Sequence, residues 1–96
     1  MPSDLTIQNN ASRGQFEGRL GDAVAVLQYK HVPGRVVFVH TEVPEAMRGM
    51  GVAGKLAAAG VQWAHGEGLG VIAVCPFVQA YLKKQRAARM RLSAER

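Results

Sequence analysis

The chain of 96 residues has the length of one small domain and leaves no room for a second core. With 48% apolar and 20% charged residues it has ordinary globular composition, which excludes the low-hydrophobicity, high-charge profile of a disordered chain. The net charge of +5 sits almost entirely at one end. Residues 1–82 hold six bases and six acids, whereas Lys83, Lys84, Arg86, Arg89, Arg91 and Arg96 face only Glu95.

In chain order, a polar N-terminal stretch carries one short edge strand over residues 5–9. Residues 15–20 then alternate, with Phe16 and Leu20 on one side and Gln15, Glu17 and Arg19 on the other, as a half-exposed strand does. Gly21-Asp22 is a two-residue hairpin signal, and alternation resumes over residues 23–30. His31-Val32-Pro33-Gly34-Arg35 is a turn, and residues 36–43, rich in β-branched side chains, form a third long strand beside the second.

Pro44 ends that ladder and the period changes. Val52, Leu56, Ala59 and Trp63 fall at helical spacing on a segment from about residue 49 to 65. Gly66, Gly68 and Gly70 terminate it, and residues 71–74 are continuously apolar, as in a strand buried on both faces. Strand, helix and strand predict a parallel pair with a right-handed crossover. Cys75-Pro76 opens a second helix with Phe77, Val78, Tyr81 and Leu82 as its apolar stripe. The expected fold is α+β: a curved, mostly antiparallel sheet of about five strands with a parallel β-α-β unit and two helices. The expected division is a domain over residues 1–84 followed by a basic tail over 85–96. A basic tail on a neutral body is a weak nucleic-acid signal, so nucleic acid is not the expected partner.

No apolar run approaches the roughly 18 residues of a membrane helix, and Met1-Pro2-Ser3-Asp4 lacks a basic segment followed by an apolar one, so neither a membrane-spanning nor a secreted protein is expected. Cys75 is the single cysteine. It excludes an internal disulfide and a cysteine-rich zinc site and fits a reducing cytoplasm. His31 and His65 have no partner at metal-ligand spacing, and no metal is expected.

The segment between the third long strand and the main helix contains Arg48-Gly49-Met50-Gly51-Val52-Ala53-Gly54-Lys55, which fits three motifs. Gly49, Gly51 and Gly54 match G-x-G-x-x-G, but no acid stands about 20 residues on to bind a ribose. The glycine and lysine positions match a P-loop, but Leu56 stands where magnesium coordination needs a hydroxyl. The third match, Arg48-x-x-Gly51-x-Ala53, suits its surroundings. Backbone amides at a helix start point toward an anion, the helix dipole adds positive charge, and small residues let a diphosphate approach. Tight packing alone would also use these glycines.

This third match resembles the acetyl-CoA pyrophosphate loop of the GNAT N-acetyltransferase superfamily. His40-Thr41-Glu42-Val43-Pro44, Arg48-Gly49-Met50-Gly51-Val52-Ala53 and Cys75-Pro76-Phe77, with Tyr81, are similar to three ordered blocks of the small YjdJ-type family. The resemblance implies acetyl-CoA as co-substrate and an amine acceptor, a small molecule or a peptide, on a monomer or weak homodimer. It places the cofactor on Thr41, Val43, Arg48, Gly49, Met50, Gly51, Val52, Ala53, Gly54 and Lys55. It gives Tyr81 the protonation of the departing thiolate, against a role in core packing. Cys75, between a strand and a helix start where the dipole favours a thiolate, is a candidate nucleophile or a small buried apolar residue. His40 and Glu42 are candidate general bases, or a histidine bonded to the sheet edge and a solvated carboxylate. The helices that shape the acceptor site in the ordinary superfamily fold have no counterpart here, so the resemblance implies either an acetyltransferase or a CoA-binding module without catalysis.

Overall fold

The computed structural model describes the backbone of residues 5–94 and the side chains of residues 5–88. The leader-free start expected at residues 1–4 and the tail residues 95–96 lie outside the described residues, as do the tail side chains from residue 89 onward. Alternating sequence becomes four antiparallel strands, β1 (Thr6–Asn10), β2 (Gln15–Leu20), β3 (Ala23–Val32) and β4 (Arg35–Glu42). A 3₁₀ turn, Glu45–Met47, leads to helix α1 (Val52–Gly66), strand β5 (Gly70–Ala73) and helix α2 (Pro76–Ala94). The sheet order is β1-β2-β3-β4-β5, with only the β4–β5 pair parallel. The mixed five-stranded sheet with two helices is the α+β fold that the periodicities predict.

Both helices serve one core. Phe16, Leu27, Tyr29, Val36 and Phe38 of the sheet meet Val52, Leu56, Val61 and Ala64 of α1, and Val78 of α2 joins the same cluster. Each large apolar side chain fully buried there contributes on the order of 2 kcal/mol. At the far end of α1 the Trp63 ring lies 5.1 Å from Tyr29 and 5.7 Å from Phe16, and the Tyr29 hydroxyl donates to Asn9 Oδ1 at 2.6 Å. Gly60 sits where the helix crosses Phe38: a Cβ there would stand 2.8 Å from Cε1 of that ring. Glycine is required by close approach rather than by its backbone angles.

Three expectations are corrected. Residues 71–74 do not form a strand buried on both faces, because β5 is the last strand of the sheet and Ile72 and Val74 are 39% and 56% exposed. The main helix begins at Val52 rather than near residue 49, the two glycines before it being spent on a turn. Glu17, expected on the solvated side of a half-exposed strand, is buried. It points away from α1, on the face opposite Phe16, and its carboxylate accepts from Gln15 Nε2 (2.6 Å), Asn10 Nδ2 (3.1 Å) and Arg19 (3.0 Å). Polar neighbours, not a helix, cover it.

The Gln15 and Asn10 hydrogen bonds, with Arg19 adding charge, hold the Glu17 carboxyl below its ordinary value of 4.5 against the opposing effect of burial. A depressed folded pKa contributes stability that is present above the unfolded value and is lost as pH falls through the folded one. Glu17→Gln should therefore flatten the fall in denaturant midpoint between about pH 5 and pH 3 relative to the native chain. On α1, Gly60→Val should lower the unfolding free energy by about 2 kcal/mol in urea titration, since the added carbons meet the Phe38 ring. Gly54→Ala, where a Cβ meets nothing within 4 Å, should instead raise it by about 0.5 kcal/mol through helix propensity.

Candidate functional site

The site begins with a fault in the β3–β4 ladder. Gln28 pairs with His40, but the next residue, Tyr29, pairs with Phe38, so Val39 is an extra residue on β4. A bulge of this kind bends the strand and shifts its side-chain alternation by one. Before it, Val36 and Phe38 face the core; after it the core-facing position is Thr41, while His40 and Glu42 are turned outward. Unbroken alternation from Phe38 would have buried His40 and Glu42.

Pairing between β4 and β5 ends at the same point. The register runs from Arg35↔Gly70 to Phe38↔Ala73, and beyond it the amides of Val74 and Cys75 both donate to the one carbonyl of Phe38, at 2.9 and 3.0 Å. β4 continues to Glu42 held by β3 along one edge only. Across the other edge the strands have separated, and a cleft of about 430 Å³ opens.

One wall of the cleft is Thr41, Glu42 and Val43 at the end of β4; the opposite wall is Arg48, Gly49, Gly51, Val52 and Ala53. Met47, buried in the core, anchors the turn between them. Gly49 and Gly51 have φ of 81° and 71°, the left-handed region that side chains resist, and Gly51 is the N-cap of α1. The first bond of the helix runs from the Lys55 amide to the Gly51 carbonyl, so the amides of residues 51–54 have no intrahelical acceptor. No side chain caps them and no acid stands in the first turn. Three of the residues that carry these N–H groups, Gly51, Val52 and Ala53, line the cleft, and the positive end of the helix dipole meets the same wall, an arrangement suited to an anion.

Of the cofactor positions expected from the sequence, seven line this cleft; Met50, Gly54 and Lys55 do not. Glu42 lines it too, and His40 Nε2 lies 3.8 Å from Glu42 Oε2 on the outer face. Cys75 is 1% exposed and lies outside the lining, with Sγ 2.9 Å from Thr41 Oγ1. Tyr81 is half-buried against the core and also outside the lining. Phe77 corrects the expected apolar stripe of α2: it is 53% exposed and lines the cleft, while Val78 takes the buried position. Met47 and Phe77 are the lining residues to which sequence reasoning gave no part in the site. Phe77 stands one place ahead of the helical series 78, 81, 82, and that offset was the available signal. Among the described residues no group of three or more His, Cys, Asp or Glu side chains could hold a metal ion, and no helix is long and apolar enough to cross a membrane.

Comparison with known proteins falls on the same stretch. Residues 15–90 match the family model described as GCN5-related N-acetyl-transferase. Protein NATD1 of Mus musculus is 37% identical over 83 residues, 83% of this chain and 76% of that protein. Protein NATD1 of Xenopus tropicalis is 36% identical over 85 residues, covering 85% and 78%. Protein NATD1 of Homo sapiens is 37% identical over 83 residues, covering 83% and 74%. The matched span contains the bulged strand, the glycine turn, the uncapped helix start, all of α1 and α2 as far as residue 90, and with that span the chain belongs to the GCN5-related N-acetyltransferase family.

Proposed function

We propose that the protein is an acetyl-CoA-dependent N-acetyltransferase of the small YjdJ-type branch, working in the cytoplasm on an amine acceptor. The observation that carries this reading is the set of amides at residues 51–54, left without acceptors at a helix start whose residues 51–53 line a cleft, the other wall of which is the free edge of β4. The diphosphate of the co-substrate takes those amides, with Arg48 and Lys55 adding charge. The pantetheine arm pairs with the backbone of residues 40–43, which β5 no longer occupies. The thioester then lies toward the start of α2.

Transfer requires an amine freed of its proton and a proton for the leaving thiolate. Glu42, whose side chain is 76% exposed in the cleft wall, accepts the first, with His40 beside it. Tyr81 supplies the second. The burial of Cys75 and its bond to Thr41 favour direct attack by the amine over an acetyl-cysteine intermediate. In direct transfer the C–N bond forms as the C–S bond breaks, and the amine proton passes to Glu42.

A second reading, a CoA-binding module without catalysis, has its own support. β1 and β2 are joined by a turn over residues 11–14 alone, with no helix between them to enclose an acceptor.

Isothermal titration should show acetyl-CoA binding by the native protein. Arg48→Glu should weaken it about tenfold by placing a like charge beside the diphosphate. Gly51→Val should weaken it further, because a β-branched residue resists a φ of 71°. No binding by the native protein would remove both readings, whereas tight binding with no CoA release across a panel of amines would leave only the module. Intact mass after rapid quench with acetyl-CoA should show an unmodified chain; an added acetyl group on Cys75 would replace direct transfer with the two-step route.

A further inference from the structure

The free edge of β4 that makes the cleft also creates a mechanical problem. Residues 40–42 are held by β3 along one side, and their other side has lost its strand partner. The neighbouring bank, the start of α2 from which Phe77 lines the cleft, is fixed by two amides on the Phe38 carbonyl and by the Gln79 amide bonded to the Cys75 carbonyl at 3.0 Å. Among the described residues, one hydrogen bond joins the two banks below Phe38: Thr41 Oγ1 to Cys75 Sγ, 2.9 Å, both side chains buried. Thr41 is also a lining residue of the cleft, whereas Cys75 is not.

We propose that Cys75 is a positioning residue which, through its bond to Thr41, sets how far the end of β4 stands from α2 and so the width of the cofactor cleft. This inference rests on the acetyl-CoA reading above. A hydroxyl has one hydrogen and two lone pairs and a thiol both donates and accepts weakly, so the bond forms with either atom as donor and fixes the Thr41 rotamer in both cases. Burial strengthens it, because water does not compete for either atom. The same bond accounts for the cysteine itself. A small apolar side chain would fill the volume without holding Thr41, whereas a thiol does both.

The test is a cycle of Cys75→Ala, Thr41→Val and the double variant, with Cys75→Ser as the conservative replacement. It is read by acetyl-CoA titration, by kcat and KM separately, and by urea unfolding. Cys75→Ala is expected to raise the acetyl-CoA dissociation constant and KM roughly fivefold, the loss of about one hydrogen bond, with kcat nearly unchanged. Thr41→Val is expected to give a similar loss and the double variant no further loss, the mark of coupled residues. Cys75→Ser, which keeps a hydrogen-bonding atom, is expected to recover most of the affinity.

Unaltered affinity in a folded Cys75→Ala, or additive losses in the double variant, would overturn the proposal. So would a collapse of kcat shared by Cys75→Ala and Cys75→Ser, which is the signature of a nucleophile. If Cys75→Ala does not fold, Thr41→Val and Cys75→Ser still decide, since affinity kept in the first or lost in the second contradicts the brace. Failure of the native protein to bind acetyl-CoA would instead sink the underlying functional reading, and binding by the native protein with no change in the variants sinks this inference alone.

Discussion

The architecture turns on one interruption of backbone pairing, at Phe38. Upstream, β4 is hydrogen-bonded on both edges, to β3 and to β5; downstream it keeps only β3. The extra residue Val39 supplies the bend, and the two amides of Val74 and Cys75 gathered on the Phe38 carbonyl end the parallel ladder. A free strand edge inside a sheet is costly unless something pairs with it, because backbone N–H and C=O groups require partners. In this protein the unpaired edge opens on a cleft, and under the proposed function an extended amide-bearing molecule would pair with the groups that β5 abandons.

The second wall follows the same logic at a helix end. A helix start leaves four amides without internal partners, and proteins usually satisfy them with a serine, threonine, aspartate or asparagine cap. Here Gly51 occupies the cap position and offers no side chain, and the first turn holds no acid. The turn sacrifices capping, a contribution of about 1 kcal/mol, for a surface of N–H groups. Met47, sunk into the core, and the rigid crossing of α1 over Phe38 at Gly60 keep that surface in place without a cap. Unsatisfied strand edge and uncapped helix start therefore face each other across about 430 Å³.

The site was only partly legible in the sequence. Arg48, Gly49, Gly51 and Ala53 declared themselves because positive φ and close anion approach demand particular residues at particular spacing. Glu42 was legible as a strand carboxylate beside the motif. Phe77 was misread, since the helical stripe assigned it to the core while the position of α2 exposes it to the cleft. Glu17 was misread for the opposite reason. Alternation places it on the face away from α1, but only the folded neighbours Asn10, Gln15 and Arg19 show that this face can enclose a carboxylate. Cys75 was read from its place at a helix start, and its partner across the chain, Thr41, lies 34 residues away where no local pattern could find it.

Taken alone, the amino-acid order determined the strands, the hairpin turns, the parallel crossover and the glycine turn before α1. Each of these depends on period, propensity or backbone freedom within a few neighbouring residues. The tertiary structure decided where β4 loses β5, which side of β4 faces the core after Val39, which bank Phe77 joins and that Thr41 meets Cys75. Those outcomes depend on register between segments distant in sequence, and a one-residue slip in register reverses every side chain beyond it.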